Sequence, residues 1–209
     1  MPYFSEFLTV VIVHLLAVMS PGPDFVMISR NSLVYSRKTG VYAAIGVALG
    51  ILVHVTYSLI GIGLIIAQSV VLFSILKFIG AGYLVYLGLK SLRAKPQQAR
   101  LSGAETEKAV SSGAAVRMGF LTNVLNPKAS LFFFALFTQV IDPHTPKAIQ
   151  LLYGLEMALM TFAWFAFVAI VFSHKLIKAG FTSVQHHLER VFGVILIALG
   201  VKVALSTPK

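Results

Sequence analysis

Apolar residues fall into six runs along the chain, with short polar stretches between them. A helix needs about 20 apolar residues to cross the hydrocarbon core of a bilayer, and the first five runs reach that length. The sixth becomes long enough if its helix begins near Gln185. The pattern therefore predicts an all-α membrane protein with six transmembrane helices, formed by the runs at about 4–28, 41–67, 70–92, 118–141, 148–172 and 191–205.

Proline interrupts the first and fourth runs. The first contains Ser20-Pro21-Gly22-Pro23-Asp24 and the fourth contains Asn126-Pro127-Lys128. Because proline lacks an N–H and clashes with the preceding turn, we expect both helices to be broken at these motifs. An ionisable residue at bilayer depth is costly and normally functional, which makes Asp24 a candidate for binding.

Lysine and arginine are distributed unevenly between the two sides of the predicted membrane domain. Loops that face the cytoplasm carry an excess of these residues. The excess places the loops after the first, third and fifth spans in the cytoplasm and both termini outside it. Those loops hold Arg30, Arg37, Lys38, Lys90, Arg93, Lys95, Arg100, Lys108, Arg117, Lys175, Lys178 and Arg190, against Lys147, Lys202 and Lys209 on the other side.

The two breaks lie at corresponding places in the two halves of the chain. An offset of 104 aligns Pro23 with Pro127, and at the far end Gly88-Leu89-Lys90 lies over Gly200-Val201-Lys202. With three spans in each half, the second half enters the membrane from the opposite side. We interpret the chain as one transporter domain with inverted three-helix repeats at 1–93 and 116–209 and a hydrophilic cytoplasmic linker at 94–115. This architecture is typical of secondary transporters.

The charges at the breaks suit a substrate with two opposite charges. A broken helix leaves backbone N–H and C=O groups that side chains, water or a ligand must satisfy. A substrate carboxylate suits the free N–H groups at a helix N-terminus, and an ammonium suits a carboxylate. Asp24, facing Lys128 and the Asn126 amide, is therefore expected to hold both ends of a zwitterion such as an amino acid. Lys128 either contacts the substrate carboxylate or forms an ion pair with Asp24.

Three further ionisable residues lie inside the predicted spans. Burial favours the protonated form of a carboxylic acid, so Glu156 in the fifth span, together with Asp24, is a candidate for carrying a coupling proton; an interfacial or capping role for Glu156 is the alternative. His14 and His54 either relay protons, ligate a metal or make one structural hydrogen bond. The sequence does not distinguish these roles.

Composition excludes several classes of function. The chain is 57% hydrophobic with a net charge of +10, and a soluble domain of this length cannot bury so much apolar surface. Since the basic residues lie between the apolar runs, we expect lipid and no nucleic acid as a partner. Cysteine is absent, as are the H-E-x-x-H, G-x-S-x-G and Walker patterns. We therefore predict a non-enzyme without a cofactor or metal, driven by an ion gradient or by the gradient of its substrate.

The motifs resemble those of the lysine exporter and homoserine-threonine resistance (LysE/RhtB) family, and the resemblance covers essentially the whole chain. It is carried by Ser20 to Asp24, Ser36-Arg37-Lys38-x-Gly40, Gly80-Ala81-Gly82-Tyr83-Leu84 and Asn123-x-x-Asn126-Pro127-Lys128. The stretch from Val13 to Phe25 looks most like the threonine efflux branch. The resemblance implies a bacterial inner-membrane exporter of amino acids driven by the proton-motive force. Family members differ in substrate, including basic amino acids, leucine, homoserine and cysteine derivatives.

The predicted function is export of a small neutral amino acid of the threonine or homoserine type, bound between the two breaks. Export of another amino acid is one alternative, and export of a divalent cation on Asp24, His14, His54 and Glu156 is a second. A third is a membrane scaffold that needs neither charge. The Gly46-x-x-x-Gly50 pair packs helices closely and also permits a homodimer. The predicted substrate-binding residues are Ser20, Pro21, Gly22, Pro23, Asp24, Asn123, Asn126, Pro127 and Lys128.

Overall fold

The structure is a computed structural model, and it describes residues 3–20, 22–68, 70–93, 110–142 and 144–171. Of the last part of the chain it describes 187, 190–191, 193–198, 200–201 and 205. The described residues form helices and connecting turns, without a strand, in agreement with the predicted all-α class. The helices are α1 (Phe4–Met19), α2 (Pro23–Val34), α3 (Arg37–Gln68), α4 (Val70–Leu92), α5 (Ser112–Val124), α6 (Pro127–Gln139) and α7 (Lys147–Val171).

Both proline motifs break their helices, as predicted. Helices α1 and α2 meet at an angle of 55°, and α5 and α6 meet at 59°. Each second helix has its proline in the first turn, where the missing N–H costs nothing and the fixed φ suits a helix start. Pro23 and Pro127 therefore end one helix and begin the next at matching places in the two halves.

Two described segments, Arg37–Gly61 and Lys147–Val171, are long and apolar enough to cross a membrane, and the two bent pairs raise the number to four. The third predicted span forms α4, and residues 193–198 of the sixth are helical. Membrane crossing by these two, and hence the count of six, stays a prediction.

Helix α5 begins inside the stretch 94–115 that the sequence assigns to a linker. Its first residue is Ser112, and the hydroxyl of Ser111 accepts a hydrogen bond from the Ala114 N–H at 3.3 Å. A serine in this position satisfies one of the free N–H groups of the first turn. The N-cap thus starts the helix before the apolar run, and residues 94–109 lie outside the described set.

Helix α3 is the element against which both broken helices pack. It contacts α2, α5, α6 and α7, and glycines bring it close to α5. A methyl group at Gly46 would meet the Val116 carbonyl, and one at Gly50 would meet the Asn123 side chain. The Gly46-x-x-x-Gly50 pair therefore packs helices within one chain, which is the packing role expected from sequence.

Replacing Gly46 with alanine is expected to destabilise the fold, because the added methyl would overlap the backbone carbonyl of Val116 in α5. Overpacking of this kind costs about 1–3 kcal/mol, measurable as a lower midpoint of thermal unfolding in detergent. Gly61→Ala in the same helix is the matched control, since a methyl there meets nothing within 4 Å. Equal midpoints for the two variants would show that the close approach of α3 to α5 is wrong.

Candidate functional site

A cavity lies between the two helix breaks. Its volume is about 50 Å³, which is room for a few water molecules. Polar groups from the breaks occupy one part of its wall, and aromatic and aliphatic side chains occupy the rest. The lining residues are His14, Ala17, Val18, Ser20, Gly22, Asp24, Phe25, Ile51, Asn123, Asn126, Lys128, Ala129, Phe132, Phe133, Thr161 and Phe165.

The carboxylate of Asp24 belongs to the first break and is held by the second. It is 9% exposed, and its Oδ2 accepts hydrogen bonds from Asn123 Nδ2 at 3.1 Å and from Asn126 Nδ2 at 3.0 Å. Hydrogen bonds to an ionised group are stronger than neutral ones and stabilise the charged form. The other oxygen, Oδ1, is buried without a hydrogen-bond partner among the residues that the structure describes.

The ammonium of Lys128 belongs to the second break and contacts the first. Its Nζ donates to the Ser20 carbonyl at 3.2 Å and to the Ser20 hydroxyl at 2.9 Å, and it interacts with the charge of Asp24. The carbonyl of Ser20 lies one residue beyond the end of α1, where the helix dipole favours a cation. Each break thus supplies one charge to the cavity and holds the charge of the other.

The two N-termini that meet the cavity are capped differently. At α6, the Asn126 side chain accepts from the Lys128 N–H at 3.0 Å. At α2, the N-cap is Gly22, which has no side chain to offer, and no side-chain hydrogen bond caps this end. Asn126 therefore has two functions, since its oxygen caps α6 while its amide nitrogen holds Asp24.

Two polar side chains lie among the apolar part of the wall. His14 of α1 is 2% exposed, and its Nε2 is 3.3 Å from the hydroxyl of Thr161 on α7. Its other ring nitrogen, Nδ1, is buried and makes no hydrogen bond within the described ranges. A buried polar atom without a partner is unfavourable, so this part of the wall has hydrogen-bonding capacity to offer a ligand.

Comparison with known proteins identifies the family. A family model described as LysE type translocator matches residues 15–207. The chain belongs to the LysE type translocator family. It is similar to a threonine efflux protein of Salmonella typhi, with 32% identity over 96% of this chain and 98% of the relative. A threonine efflux protein of Escherichia coli is 29% identical over the same shares. No solved structure matches the chain.

A third relative, an uncharacterised membrane protein of Bacillus subtilis, is 30% identical over 90% of this chain and 93% of its own length. The family and its named relatives are transporters, which confirms the prediction that the chain is not an enzyme. Membership of the LysE translocators, together with the apolar helices, makes it a membrane transport protein. The resemblance found from the motifs is therefore confirmed at the level of the family.

The structure brings most of the predicted site residues of this translocator to the cavity. Ser20, Gly22, Asp24, Asn123, Asn126 and Lys128 line it. The predicted prolines have a different position: Pro23 and Pro127 are exposed first residues of α2 and α6 and shape the breaks without lining the cavity. Pro21 lies outside the described residues.

Glu156 lies outside the cavity, in a shallow surface groove between leucines of α7. Its neighbours there include Leu152, Leu155 and Leu159, which are all exposed. Successive residues of a helix are rotated by about 100°, so Glu156 and the fully buried Met157 point to different sides. The position does not connect Glu156 with the cavity, and its role in proton coupling stays a prediction.

Sequence reasoning missed Thr161, although α7 carries a signal for it. Residues Tyr153, Met157, Thr161 and Phe165 repeat every four positions and are all buried, which is the spacing of one helix face. A threonine in that register is a candidate for the cavity wall. Phe132 and Phe133 are also buried and line the cavity.

The dual function of Asn126 predicts an unusually large loss of stability on truncation. Asn126→Ala removes a helix cap, worth about 1 kcal/mol, and a donor to a buried carboxylate, worth about 1.5–3 kcal/mol. Ser111→Ala is the matched control, because Ser111 caps α5 at an exposed site without holding a charge. Thermal unfolding in detergent compares the two variants, and an equal loss of stability in both would contradict the role of Asn126 in holding Asp24.

Proposed function

We propose that this translocator exports a small neutral amino acid of the threonine or homoserine type from the cytoplasm across the bacterial inner membrane. The substrate binds between the two helix breaks, in the cavity, which must widen to take it because its present volume of about 50 Å³ has room for only a few water molecules. One observation carries the proposal: a buried acid and a base, each held by the opposite break, share one cavity, and one oxygen of the acid has no hydrogen-bond partner among the described residues. An amino acid brings one ammonium and one carboxylate, so it matches this pair in number and sign.

The geometry supports a role for each charge. Asp24 Oδ1, which has no partner among the described residues, is the proposed acceptor for the substrate ammonium. Lys128 Nζ, now on the Ser20 hydroxyl and carbonyl, is the proposed donor to the substrate carboxylate. Burying either substrate charge without a partner costs several kcal/mol, so both contacts are needed for the zwitterion to enter a site at membrane depth.

The side chain of the substrate is the part that His14 and Thr161 are proposed to recognise. The rest of the wall near them is apolar, with Phe132, Phe133 and Phe165. A small side chain with one hydroxyl suits such a wall. The threonine efflux proteins among the relatives agree with this substrate class, and another amino acid remains the alternative.

The two breaks also support the proposed transport cycle. Their bends of 55° and 59° and their matching prolines agree with two inverted repeats around a central site, which alternate access by moving against each other. With the predicted orientation, both termini lie outside the cytoplasm.

Proton coupling follows from competition at one atom. A proton on Asp24 Oδ1 and a substrate ammonium on the same oxygen exclude each other, so an inward proton gradient drives the amino acid outward. Asp24 and Glu156 are the acids proposed from sequence for this coupling. Asp24 is the one that lines the cavity.

The other function classes have less support. The described residues contain no group of three His, Asp or Glu side chains that could hold a metal ion, and Asp24, which would bind a cation, already interacts with the positive charge of Lys128. Divalent cations prefer several converging oxygen ligands. A scaffold has no use for a buried acid with an unpaired oxygen, because that group destabilises a fold without a ligand.

Transport into inverted vesicles tests the proposal, with threonine and two analogues as competitors. 1-Amino-2-propanol is threonine without its carboxylate, and 3-hydroxybutyrate is threonine without its ammonium. A charged hydrogen bond is worth about 1.5–3 kcal/mol, so threonine should compete with labelled threonine at least about tenfold better than either analogue. Asp24→Asn should abolish the advantage over 3-hydroxybutyrate, and Lys128→Met the advantage over the amine.

Asp142→Asn is the control for this experiment, because Asp142 is an acid in an exposed turn beside His144. Uptake should rise when a proton gradient is applied. Unaltered competition profiles in Asp24→Asn and Lys128→Met would contradict the proposed site, and absence of uptake for every amino acid of a wider panel would contradict amino-acid export.

The proposed hydroxyl recognition is tested with valine, which has the shape of threonine without the hydroxyl. A site that hydrogen-bonds a substrate hydroxyl rejects the analogue lacking it, so the wild type should prefer threonine over valine, and Thr161→Val should reduce that preference. Thr138→Val is the matched control, because the Thr138 hydroxyl donates to the carbonyls of Phe134 and Ala135 in its own helix. An unchanged preference in Thr161→Val would exclude this role.

A further inference from the structure

A chain of three polar contacts links α3 to both sides of the α5–α6 break. His54 Nε2 is 3.1 Å from the carbonyl of Asn123 near the end of α5. His54 Nδ1 is 2.6 Å from the hydroxyl of Tyr57. The same hydroxyl is 3.3 Å from the carbonyl of Ser130 in the first turn of α6. Two residues of α3 therefore bridge the residues that flank Asn126 and Pro127.

This chain of contacts has one proton fewer than its three hydrogen bonds require. Both ends are carbonyl oxygens, which only accept, so three hydrogen bonds need three protons. A neutral imidazole supplies one and the Tyr57 hydroxyl supplies one. With the Nε2 proton on the Asn123 carbonyl, Nδ1 accepts from Tyr57, and no proton remains for Ser130. The distances agree with this state, because the contact of Tyr57 with His54 is short and the one with Ser130 is long.

We propose that His54 and Tyr57 form a proton-binding site that closes a bridge across the α5–α6 break. The proton forms the Nδ1–H bond of His54, and this N–H then donates to the Tyr57 oxygen. The Tyr57 hydroxyl turns from Nδ1 to the Ser130 carbonyl and completes the third hydrogen bond. Release of the proton reverses the change. This inference rests on the proposed function in taking the proton as the coupling ion.

The two residues of the proposed site differ in burial. The imidazole of His54 is 0% exposed and stacks on Phe133, with ring centroids 5.5 Å apart and planes at 9°. Tyr57 is 40% exposed. Tyr57 is therefore the member of the site that reaches the surface, and the proposed route of the proton to His54 passes its hydroxyl.

The surroundings of His54 explain why its binding of a proton depends on the position of the α5–α6 break. Helix α5 presents the Asn123 carbonyl to the imidazole, and α6 presents the Phe133 ring. The ring of His14 lies near Phe133, with the two ring centroids 5.8 Å apart. On α7, Glu156 lies in the surface groove, and the Tyr153 hydroxyl donates to the Tyr3 carbonyl. Among the described side chains, Tyr57 is therefore the titratable group in contact with the imidazole. A cation without a carboxylate is costly at membrane depth, so the proton is held only while both carbonyls are in place.

Asn123 connects the proton site to the substrate site. Its carbonyl contacts His54, and its side-chain amide donates to Asp24. A movement of the break that displaces Asn123 therefore affects both sites. Since the proton and the substrate both act on the position of Asn123, the binding of each alters the affinity for the other. The site goes beyond the competition at Asp24, because it binds a proton without touching the substrate.

The test separates exchange of substrate from accumulation driven by a pH gradient, in proteoliposomes containing the intact chain and labelled threonine. Tyr57→Phe keeps the ring but removes the hydroxyl between His54 and Ser130. We expect gradient-driven accumulation to fall about tenfold further than exchange does in this variant. Tyr153→Phe is the matched control, because it loses a hydroxyl that lies elsewhere in the core, and it should lower neither.

Three outcomes of the transport assay are distinguishable. A Tyr57→Phe variant that accumulates threonine as the wild type does would overturn the proton site. A wild type without exchange would contradict the proposed function instead. If Tyr57→Phe loses exchange as well, a measurement of the protonation of His54 tests the proton site instead.

Nitrogen NMR of ¹⁵N-histidine-labelled protein measures that protonation directly. Among the signals of the six histidines, one should titrate in the wild type and be absent from His54→Gln. That signal should titrate at a different pH in Tyr57→Phe but not in Tyr153→Phe. Absence of a titrating His54 signal throughout the pH range in which the protein transports threonine would overturn the proposal.

Discussion

A proline break inside a membrane helix leaves polar backbone groups and helix ends that lipid cannot satisfy, and the rest of this structure depends on how they are satisfied. Each break supplies the polar partners for the charged side chain of the other. The carboxylate of Asp24 is held by two amides from the second break, and the ammonium of Lys128 is held by Ser20 from the first. Because the contacts cross between the halves, moving one half against the other must rearrange both charges.

Helix α3 provides the fixed surface for this arrangement. Glycines at positions 46 and 50 let α5 approach closely, and Asn123 lies against Gly50. The same residue is contacted by His54 through its carbonyl and by Asp24 through its amide. Asn123 is therefore held from three directions, which fixes the depth and direction of the second break. A packing feature thus determines where the charges of the cavity lie.

Much of this organisation follows from sequence, because chemistry and helix propensity are local. Prolines within apolar runs predict the breaks, and a lone acid and base beside them predict the charges. The wall of the cavity is set by rotation about helix axes and by distant packing. Thr161 and Glu156 are both polar residues of α7, and only their register relative to Tyr153 and Met157 distinguishes the cavity side from the groove. Likewise, no local pattern pairs His54 with the Asn123 carbonyl, which is 69 residues away in the chain.

The central claim is that Asp24 binds the ammonium of an amino acid, and a distance measured by solid-state NMR tests it most directly. Asp24 and Asp142 are the aspartates of the chain, so labelling aspartate carboxyl carbons in the Asp142→Asn variant leaves one carbon signal. With bound ¹⁵N-threonine, we expect a carbon–nitrogen distance of about 3.5 Å, as for an ammonium hydrogen-bonded to a carboxylate. Bound threonine whose nitrogen lies beyond the range of carbon–nitrogen dipolar coupling would contradict it.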